Sequence, residues 1–408
     1  MHMVIHKAYR FRLRPSKAQE SLFRQFAGCR RFAWNKALGI QENRLRAGER
    51  SLSYNRMAAN LPAWKRERPF LAEPPSQALQ QVLMDLDRAI RDAFNKKDPK
   101  RFPVFKKKGK SVDSFRLPQG FRVEQGNGRI FLPKVGWVRY RNSRRIEGKQ
   151  KQVTVSRSHD GWYVSVQVEI KTSEAPIHPS SSSVGIDRGV EQFAAFSDGT
   201  ILEPGNPLKN RLGRLARLQR KLGRKDKFSN NRKKQKEKIS KLLGRVADAR
   251  RDFLHKATTT ICKNHAIVVM EDLRIGNMTR SAKGTIENPG KKVRQKSGLN
   301  RAILDQGWGE FQRQVGYKLE WAVGELILVN PAYTSQECSA CHHVARESRK
   351  TRDKYECVAC GHAEDADVNA AKNIKAAGLA VSACGGFSAS RPPMKQEPPC
   401  GKERCHAA

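Results

Sequence analysis

Four cysteines stand in two tight pairs in the C-terminal quarter of the chain, Cys338-x-x-Cys341 and Cys357-x-x-Cys360, with 15 residues between the pairs. Each pair can close a knuckle on one ion, and a gap of that length holds a short hairpin, which is the spacing of a four-thiolate zinc site. Four sulfurs fill a tetrahedral shell, so a zinc bound there is structural and has no open position at which to activate water. His342, His343 and His362 flank the knuckles. With four cysteines at hand they are expected outside the ligand set. Just downstream, Glu364, Asp365 and Asp367 open a helical segment, where the helix dipole alone would favour carboxylates.

Two other acids resist that explanation. Asp187 lies inside the apolar run VGIDRGV, and Glu271 closes the run AIVVM. A lone carboxylate is costly to bury unpaired, so acids at the ends of core elements require a cation. With a polyanionic substrate, a natural use is to hold two Mg2+ ions about 3.5–4 Å apart, which position and activate water and stabilise the leaving oxygen of a phosphodiester. The acids stand 84 (271 minus 187) and 96 (367 minus 271) residues apart, and spacing alone does not establish that they meet.

The polyanion is indicated by charge. Among 408 residues, 80 Lys+Arg face 39 Asp+Glu, a formal net charge of +41, so nucleic acid is the expected partner. A hydrophobic content of 38% suffices for two to three globular domains. The start, MHMVIHKAYRFRLR, lacks an apolar signal core, and no run approaches the ~18 apolar residues of a membrane span, so a cytoplasmic protein with no membrane partner is expected. Nine cysteines in a reducing compartment argue for metal rather than disulfides, with Cys29, Cys262, Cys384, Cys400 and Cys405 as ordinary buried or tail thiols.

The elements that must position these groups follow from periodicity. Residues 4–14 alternate, with Tyr9, Phe11 and Leu13 on one face and Arg10, Arg12 and Arg14 on the other, a half-buried strand whose basic face could meet phosphate. Ser16-x-x-Gln19 is a capping box for a helix through Leu22, Phe23, Phe26, Trp34 and Leu38, and helical pattern persists to about residue 97. From about 102 to 170, FRVEQ-GNG-RIFLP and VTVSRS-HDG-WYVSVQVEI predict antiparallel hairpins, and 171–183 is a Pro/Ser-rich linker. Beyond it, strands are expected at VGIDRGV, AIVVMED and LILVN, a hairpin at FAAFSDG, and a polar loop over about 276–300. Residues 209–251 hold 18 Lys+Arg against 3 Asp+Glu and predict two amphipathic basic helices joined near Phe228 to Asn231. A helix carries Trp308, Phe311 and Val315 inward, and another starts at Asp367. The class is α/β and multidomain.

The series GIDRGV, VVMEDL, TSQECSACHH and ECVACGHAEDADVNAAKNI resembles the RuvC-like (RNase H-like) nuclease domain, with inserted zinc ribbon, of the TnpB proteins of insertion sequences, relatives of type V CRISPR effectors. The likeness extends through FPVFKKK, LPKVGWV, GWGEFQRQVGYKLEW and an N-terminal pattern that includes Lys7, Gly28, Arg31, Trp34 and Asn35. It implies that Asp187, Glu271 and Asp367 are the catalytic acids holding Mg2+, with Asp367 rather than Asp365 as ligand because the second Asp of D-x-D-x-N-A-A plays that part. It implies zinc on Cys338, Cys341, Cys357 and Cys360. His342 departs from the pattern, which often has glycine there. The implied partners are a guide RNA from the transposon end and target double-stranded DNA beside a short adjacent motif, with a monomeric protein in the RNA complex. Tyr54 and Gln80 are candidate base-edge readers beside Arg10, Arg12 and Arg14.

The implied domains are a β-rich nucleic-acid-binding domain (1–15 and 98–178), a helical recognition domain (16–97), the nuclease domain (179–335 and 362–384), the ribbon (336–361) and a tail expected to be disordered (385–408). A non-enzymatic nucleic-acid-binding regulator and a strand-joining transposase are the alternative functions on this scaffold.

Overall fold

The computed structural model describes residues 3–97, 100–172 and 178–383, and the chain divides into two compact units, residues 1–175 and 176–408. Cys384, Cys400, Cys405 and the tail 385–408 lie outside the described residues.

In the first unit, β1 (Met3–Arg14) leads into α1 (Lys17–Arg46), whose start is closed by the reciprocal Ser16/Gln19 capping box. Then come α2 (Tyr54–Ala59), α3 (Leu61–Glu67), α4 (Ser76–Ala93), β2 (Ser114–Leu117), β3 (Arg122–Glu124), β4 (Arg129–Leu132), β5 (Gly136–Tyr140), β6 (Lys149–Ser158) and β7 (Gly161–Thr172). The seven strands form one sheet in the order β2-β6-β7-β1-β5-β4-β3, in which the N-terminal strand pairs antiparallel with β7 from Met3↔Thr172 to Arg12↔Tyr163. Period-2 alternation buries Phe11, Leu13, Val153, Val155, Val164, Val166 and Val168 against Phe23 and Phe26 of α1. The other side of α1 makes a second core with α4 around Trp34, Leu38, Leu79, Val82 and Leu86. Asn35 fastens the segment around 102–106 by bonding both the carbonyl and the N–H of Lys106. The Lys106 ammonium lies 3.2 Å from the centre of the Trp34 ring, and burial pushes its pKa down to about 8.

The second unit comprises β8 (Ser183–Asp187), β9 (Ala194–Phe196), β10 (Ile201–Leu202), α5 (Leu212–Gly223), α6 (Asn230–Asn264), β11 (Ile267–Glu271), α7 (Ile275–Met278), α8 (Val293–Gln306), α9 (Trp308–Ala322), β12 (Glu325–Val329), β13 (Lys354–Glu356), β14 (Ala363–Asp365) and α10 (Ala366–Ala383). The expected polar loop is shorter than periodicity suggests, because α8 already starts at Val293. The polar exposed face of that helix hides its period: only Ile303, Asp305 and Gln306 are buried.

The main sheet runs β10-β9-β8-β11-β12, with β8, β11 and β12 parallel and β9 and β10 antiparallel. The central strands are covered on both faces, which is why their sequences are almost continuously apolar. Val184, Ile186, Val268 and Met270 turn toward a core with Leu254 and Ile261 of α6 and Phe311 and Val315 of α9. Val269, Ile327 and Val329 turn the other way, toward Ile374 of α10. Two glycines allow α10 to lie this close. A Cβ at Gly185 would sit 2.1 Å from the Ala371 carbonyl oxygen, and one at Gly378 would sit 2.3 Å from Cγ1 of Val269.

Candidate active site

Alternation along the central strands decides where the two strand acids point. Residues 185 and 187 of β8, and 267, 269 and 271 of β11, belong to the face covered by α10. The parallel register pairs Ile186 with Met270, so Asp187 and Glu271 are neighbours at the carboxyl ends of adjacent strands. That is the edge at which α/β sheets bind ligands. α10 packs across β8 and β11 and brings its first turn, with Asp367, to the same edge.

Electrostatics register the meeting. Burial, then the Glu271 and Asp367 charges, push the Asp187 carboxyl up to about 7. Burial also raises Glu271 and Asp367, opposed at Glu271 by a hydrogen bond from Thr334 and at Asp367 by the Arg349 guanidinium. Asp187 is thus a half-buried carboxyl close enough to two other acids for their charges to raise its pKa. Asp365, two residues from Asp367, is occupied otherwise: its Oδ1 accepts from the backbone N–H groups of Asp367 (2.9 Å) and Val368 (3.1 Å), the work of a helix cap.

Several residues that complete this edge are not marked in the sequence. Thr334 donates to Glu271 Oε1 at 2.7 Å, and its own carbonyl accepts from Asn373 of α10 at 3.0 Å. Arg188, 5% exposed, donates to the Glu271 carbonyl and to Gln312, setting a buried cation beside two of the acids. Arg349, in the segment between the cysteine pairs, reaches Asp367 Oδ1 at 3.3 Å. Asn369 and Asn373 are the one legible signal among these: a polar pair four residues apart on a face otherwise built from alanine and isoleucine.

The cysteine cluster lies beside this edge. All four Sγ atoms are within 4.8 Å of one another, with Cys338 and Cys360 at 3.7 Å and Cys341 and Cys357 at 3.6 Å. Zinc–sulfur bonds of about 2.3 Å in a tetrahedron place the sulfurs about 3.8 Å apart, so the set fits one Zn2+. The thiols share protons as one set: backbone N–H groups, that of Cys360 foremost, lower Cys357, while the neighbouring sulfurs raise Cys341.

The knuckles are built alike. The N–H groups of His342 and Gly361 donate to the carbonyls of Cys338 and Cys357, each at 3.0 Å, and both residues have positive φ, 59° and 73°. The left-handed turn explains why glycine suits position 342. None of the three histidines joins the cluster; His342 meets Glu337 and His362 meets Glu364. Asn369 of α10 accepts from the Ser339 N–H at 2.9 Å and donates to the Glu337 carbonyl at 2.8 Å, while Asn373 donates to the same carbonyl at 2.7 Å. The first knuckle is thereby stitched to the helix that carries Asp367.

The remaining predicted contacts lie in the first unit. Arg10, Arg12 and Arg14 line the exposed face of β1. Arg10 stacks 3.9 Å from the Tyr163 ring centre, and Arg12 donates to the Asp160 carbonyl at 2.7 Å. Arg14 lines a basic cleft with Arg129, Arg139 and Asn127. Tyr54 is half-buried against the helical core, and Gln80 is exposed on α4. Of the other cysteines, Cys29 and Cys262 are buried, with thiols raised by burial to about 11.

A mixed α/β chain with a four-cysteine cluster that could hold zinc, next to three acids at one sheet edge, defines a class of protein, and the comparisons narrow it. Residues 165–282 match a family model described as "Probable transposase", residues 308–374 one described as "Cas12f1-like, TNB domain", and residues 1–50 one described as "Helix-turn-helix domain". In this structure the last stretch forms β1 and the single long helix α1. The chain belongs to the TnpB family of insertion-sequence proteins. It is 52% identical over 394 residues, 96% of this chain and 97% of the relative, to "Putative RNA-guided DNA endonuclease InsQ" of Escherichia coli (strain K12). It is 34% identical to a "Putative RNA-guided DNA endonuclease" of Streptomyces pristinaespiralis over 98% of each chain. A shorter match, 36% over 75 residues and 18% of each chain, links it to "CRISPR-associated endodeoxyribonuclease Cas12f1" of Sulfoacidibacillus thermotolerans. Among the described residues, no helix is long and apolar enough to cross a membrane.

Proposed function

We propose that this protein is an RNA-guided, Mg2+-dependent DNA endonuclease of an insertion sequence, cutting target DNA beside a short adjacent motif. The observation that carries the reading is the approach of Asp187, Glu271 and Asp367 to one another at the carboxyl edge of β8 and β11, with Asp187 raised to about 7 by burial first and by the two neighbouring charges second. The strand order β10-β9-β8-β11-β12, three antiparallel strands followed by two parallel ones, supports an RNase H-like, RuvC-like nuclease fold. The names of relatives that match nearly the whole chain agree.

In this reading the three acids hold Mg2+, which when bound supplies water activation and stabilisation of the leaving oxygen. The protein's own residues arrange the site. Thr334 orients Glu271 by a hydrogen bond to one carboxylate oxygen, leaving the other oxygen for a cation. Arg188 fixes the carboxyl end of β11 through the Glu271 carbonyl and offsets part of the carboxylate repulsion. Arg349 holds Asp367 and adds positive charge where a phosphodiester must approach three acids. Asp365 caps α10, so the turn bearing Asp367 is ordered independently of metal.

The zinc on Cys338, Cys341, Cys357 and Cys360 is structural. It secures the knuckle that Asn369 and Asn373 tie to α10, and therefore the position of Asp367. Guide RNA and target duplex engage the basic surfaces, with the β-rich parts (1–15 and 98–178) and helices (16–97) of the first unit reading backbone shape and the adjacent motif while base pairing reads sequence.

The test is cleavage of a matched and an unmatched duplex by purified protein, with and without separately supplied guide RNA, beside Asp187→Ala. Cutting of the matched duplex alone, only with RNA and only by the wild-type protein, is expected. Equal cutting of both duplexes by RNA-free protein, or wild-type cutting by Asp187→Ala, would overturn the proposal.

A further inference from the structure

The helical hairpin α5–α6 is larger than the sheet beside it needs. α6 is 35 residues, about 52 Å long at helical rise, but only its C-terminal part supplies the core residues Leu254, Ile261 and Cys262. Its N-terminal part packs on α5, none of whose residues is fully buried. The pair turns cations outward, among them Arg217, Arg220, Lys233, Lys234 and Lys238, all exposed.

At the turn stands Phe228, 90% exposed, the most exposed aromatic among the described residues. Its φ is +71°, in the left-handed region that a bulky side chain rarely adopts. The turn is tightly built. Ser229 accepts from the Arg232 N–H at 3.1 Å and donates to the Asp226 carbonyl at 3.0 Å, and the Arg232 guanidinium binds the carbonyls of Leu222 and Lys225, each at 2.8 Å. A glycine or asparagine would fit this backbone with less strain, and a polar residue would suit the exposure. An apolar ring displayed on a strained, anchored turn that also carries the exposed Arg224 and Lys227, at the end of a basic arm, has the features of a stacking platform. Cations draw in the phosphates, and the ring offers its face to a base.

We infer that Phe228 is a base-stacking residue, and that the α5–α6 tip engages an unpaired base of single-stranded nucleic acid. A duplex offers no free base face, so the tip selects a single strand, a loop or a strand separated from its complement. The inference rests on the reading of the chain as a nucleic-acid enzyme but not on its cleavage chemistry.

Full-length protein is titrated at fixed salt with a labelled oligonucleotide of about 20 nucleotides, as single-stranded RNA, as single-stranded DNA and as blunt DNA duplex. Phe228→Ala and Phe228→Leu are expected to bind the single strand about tenfold more weakly, with duplex affinity and the salt slope unchanged because no cation is removed. Phe228→Trp should keep wild-type affinity. Photocrosslinking from 5-iodouracil in the bound single strand should map to the peptide containing Phe228. Loss confined to RNA or to DNA identifies the strand that the tip holds. Phe228→Gly relieves the backbone, so if the ring is only a turn residue this variant melts higher and binds as the wild type does, which overturns the inference. Wild-type single-strand binding by Phe228→Ala or Phe228→Leu, or crosslinks only elsewhere, overturns it too. Because these measurements use no cleavage, an inactive wild-type protein that still loses single-strand affinity in Phe228→Ala would refute the nuclease proposal and leave this one standing.

Discussion

The raised pKa of Asp187 makes the acid cluster a measurable liability in magnesium-free protein. In the unfolded chain this carboxyl ionises near 3.8, whereas in the folded protein it keeps its proton up to about 7. Between those values the folded state binds more protons, so stability falls as pH rises from about 4 to about 7 and levels off above. The full displacement corresponds to about 4 kcal/mol, and since water reaches the half-buried carboxylate we take roughly half, about 2 kcal/mol. In a domain of this size that is a melting shift of about 4–8 °C. Asp187→Asn removes the ionisable group and relieves Glu271 and Asp367 as well. The variant should therefore melt several degrees above wild type at pH 8 in magnesium-free buffer and close to it at pH 4.5. Mg2+ should reverse the order. At a hundred times its dissociation constant it adds about 2.7 kcal/mol to wild type, and it should add far less to the variant. Differential scanning fluorimetry across pH, with and without Mg2+, checks both parts. Wild type and variant with the same pH profile, or equally stabilised by Mg2+, would refute the argument that these carboxylates repel one another and share a cation.

Thr334→Val removes the hydroxyl that orients Glu271 and lowers its pKa; cleavage should drop about tenfold and its pH profile should move upward, whereas a purely structural role would leave the profile in place. Asp365→Ala should cost about 1 kcal/mol through loss of the α10 cap while reducing cleavage much less than Asp367→Ala, measured by melting and by cleavage rate on a matched duplex. Cys338→Ser or Cys360→Ser should lower zinc content and melting temperature together, read by elemental analysis and calorimetry, and His342→Gly should raise stability by about 1 kcal/mol with zinc retained.

Local chemistry made much of this protein legible in one dimension. The knuckle spacing announces a four-thiolate site because a tetrahedral ion needs only two short turns and a hairpin, all close in sequence. The Ser16/Gln19 box is contained within one turn of helix, and the basic arm is evident because both of its helices repeat their apolar residues every three to four positions. Asp187 and Glu271 stand out because carboxylates are conspicuous in runs that are otherwise buried. Whether those acids meet was beyond pattern reading. It depends on a parallel register between strands about 80 residues apart, and on Gly185 and Gly378 letting α10 lie against β8 and β11. Likewise, Asp365 and Asp367 are equivalent as residue types. They differ because one carboxylate turns back onto the helix N–H groups and the other turns toward the sheet edge. Thr334, Arg188 and Arg349 carry no signal of their own, since an ordinary threonine or arginine becomes part of a site only when the chain folds it against a carboxylate distant in sequence. The sequence determines residue chemistry and short-range geometry by itself; convergence depends on long-range packing, and here packing brings acids distant in sequence to one edge of the sheet.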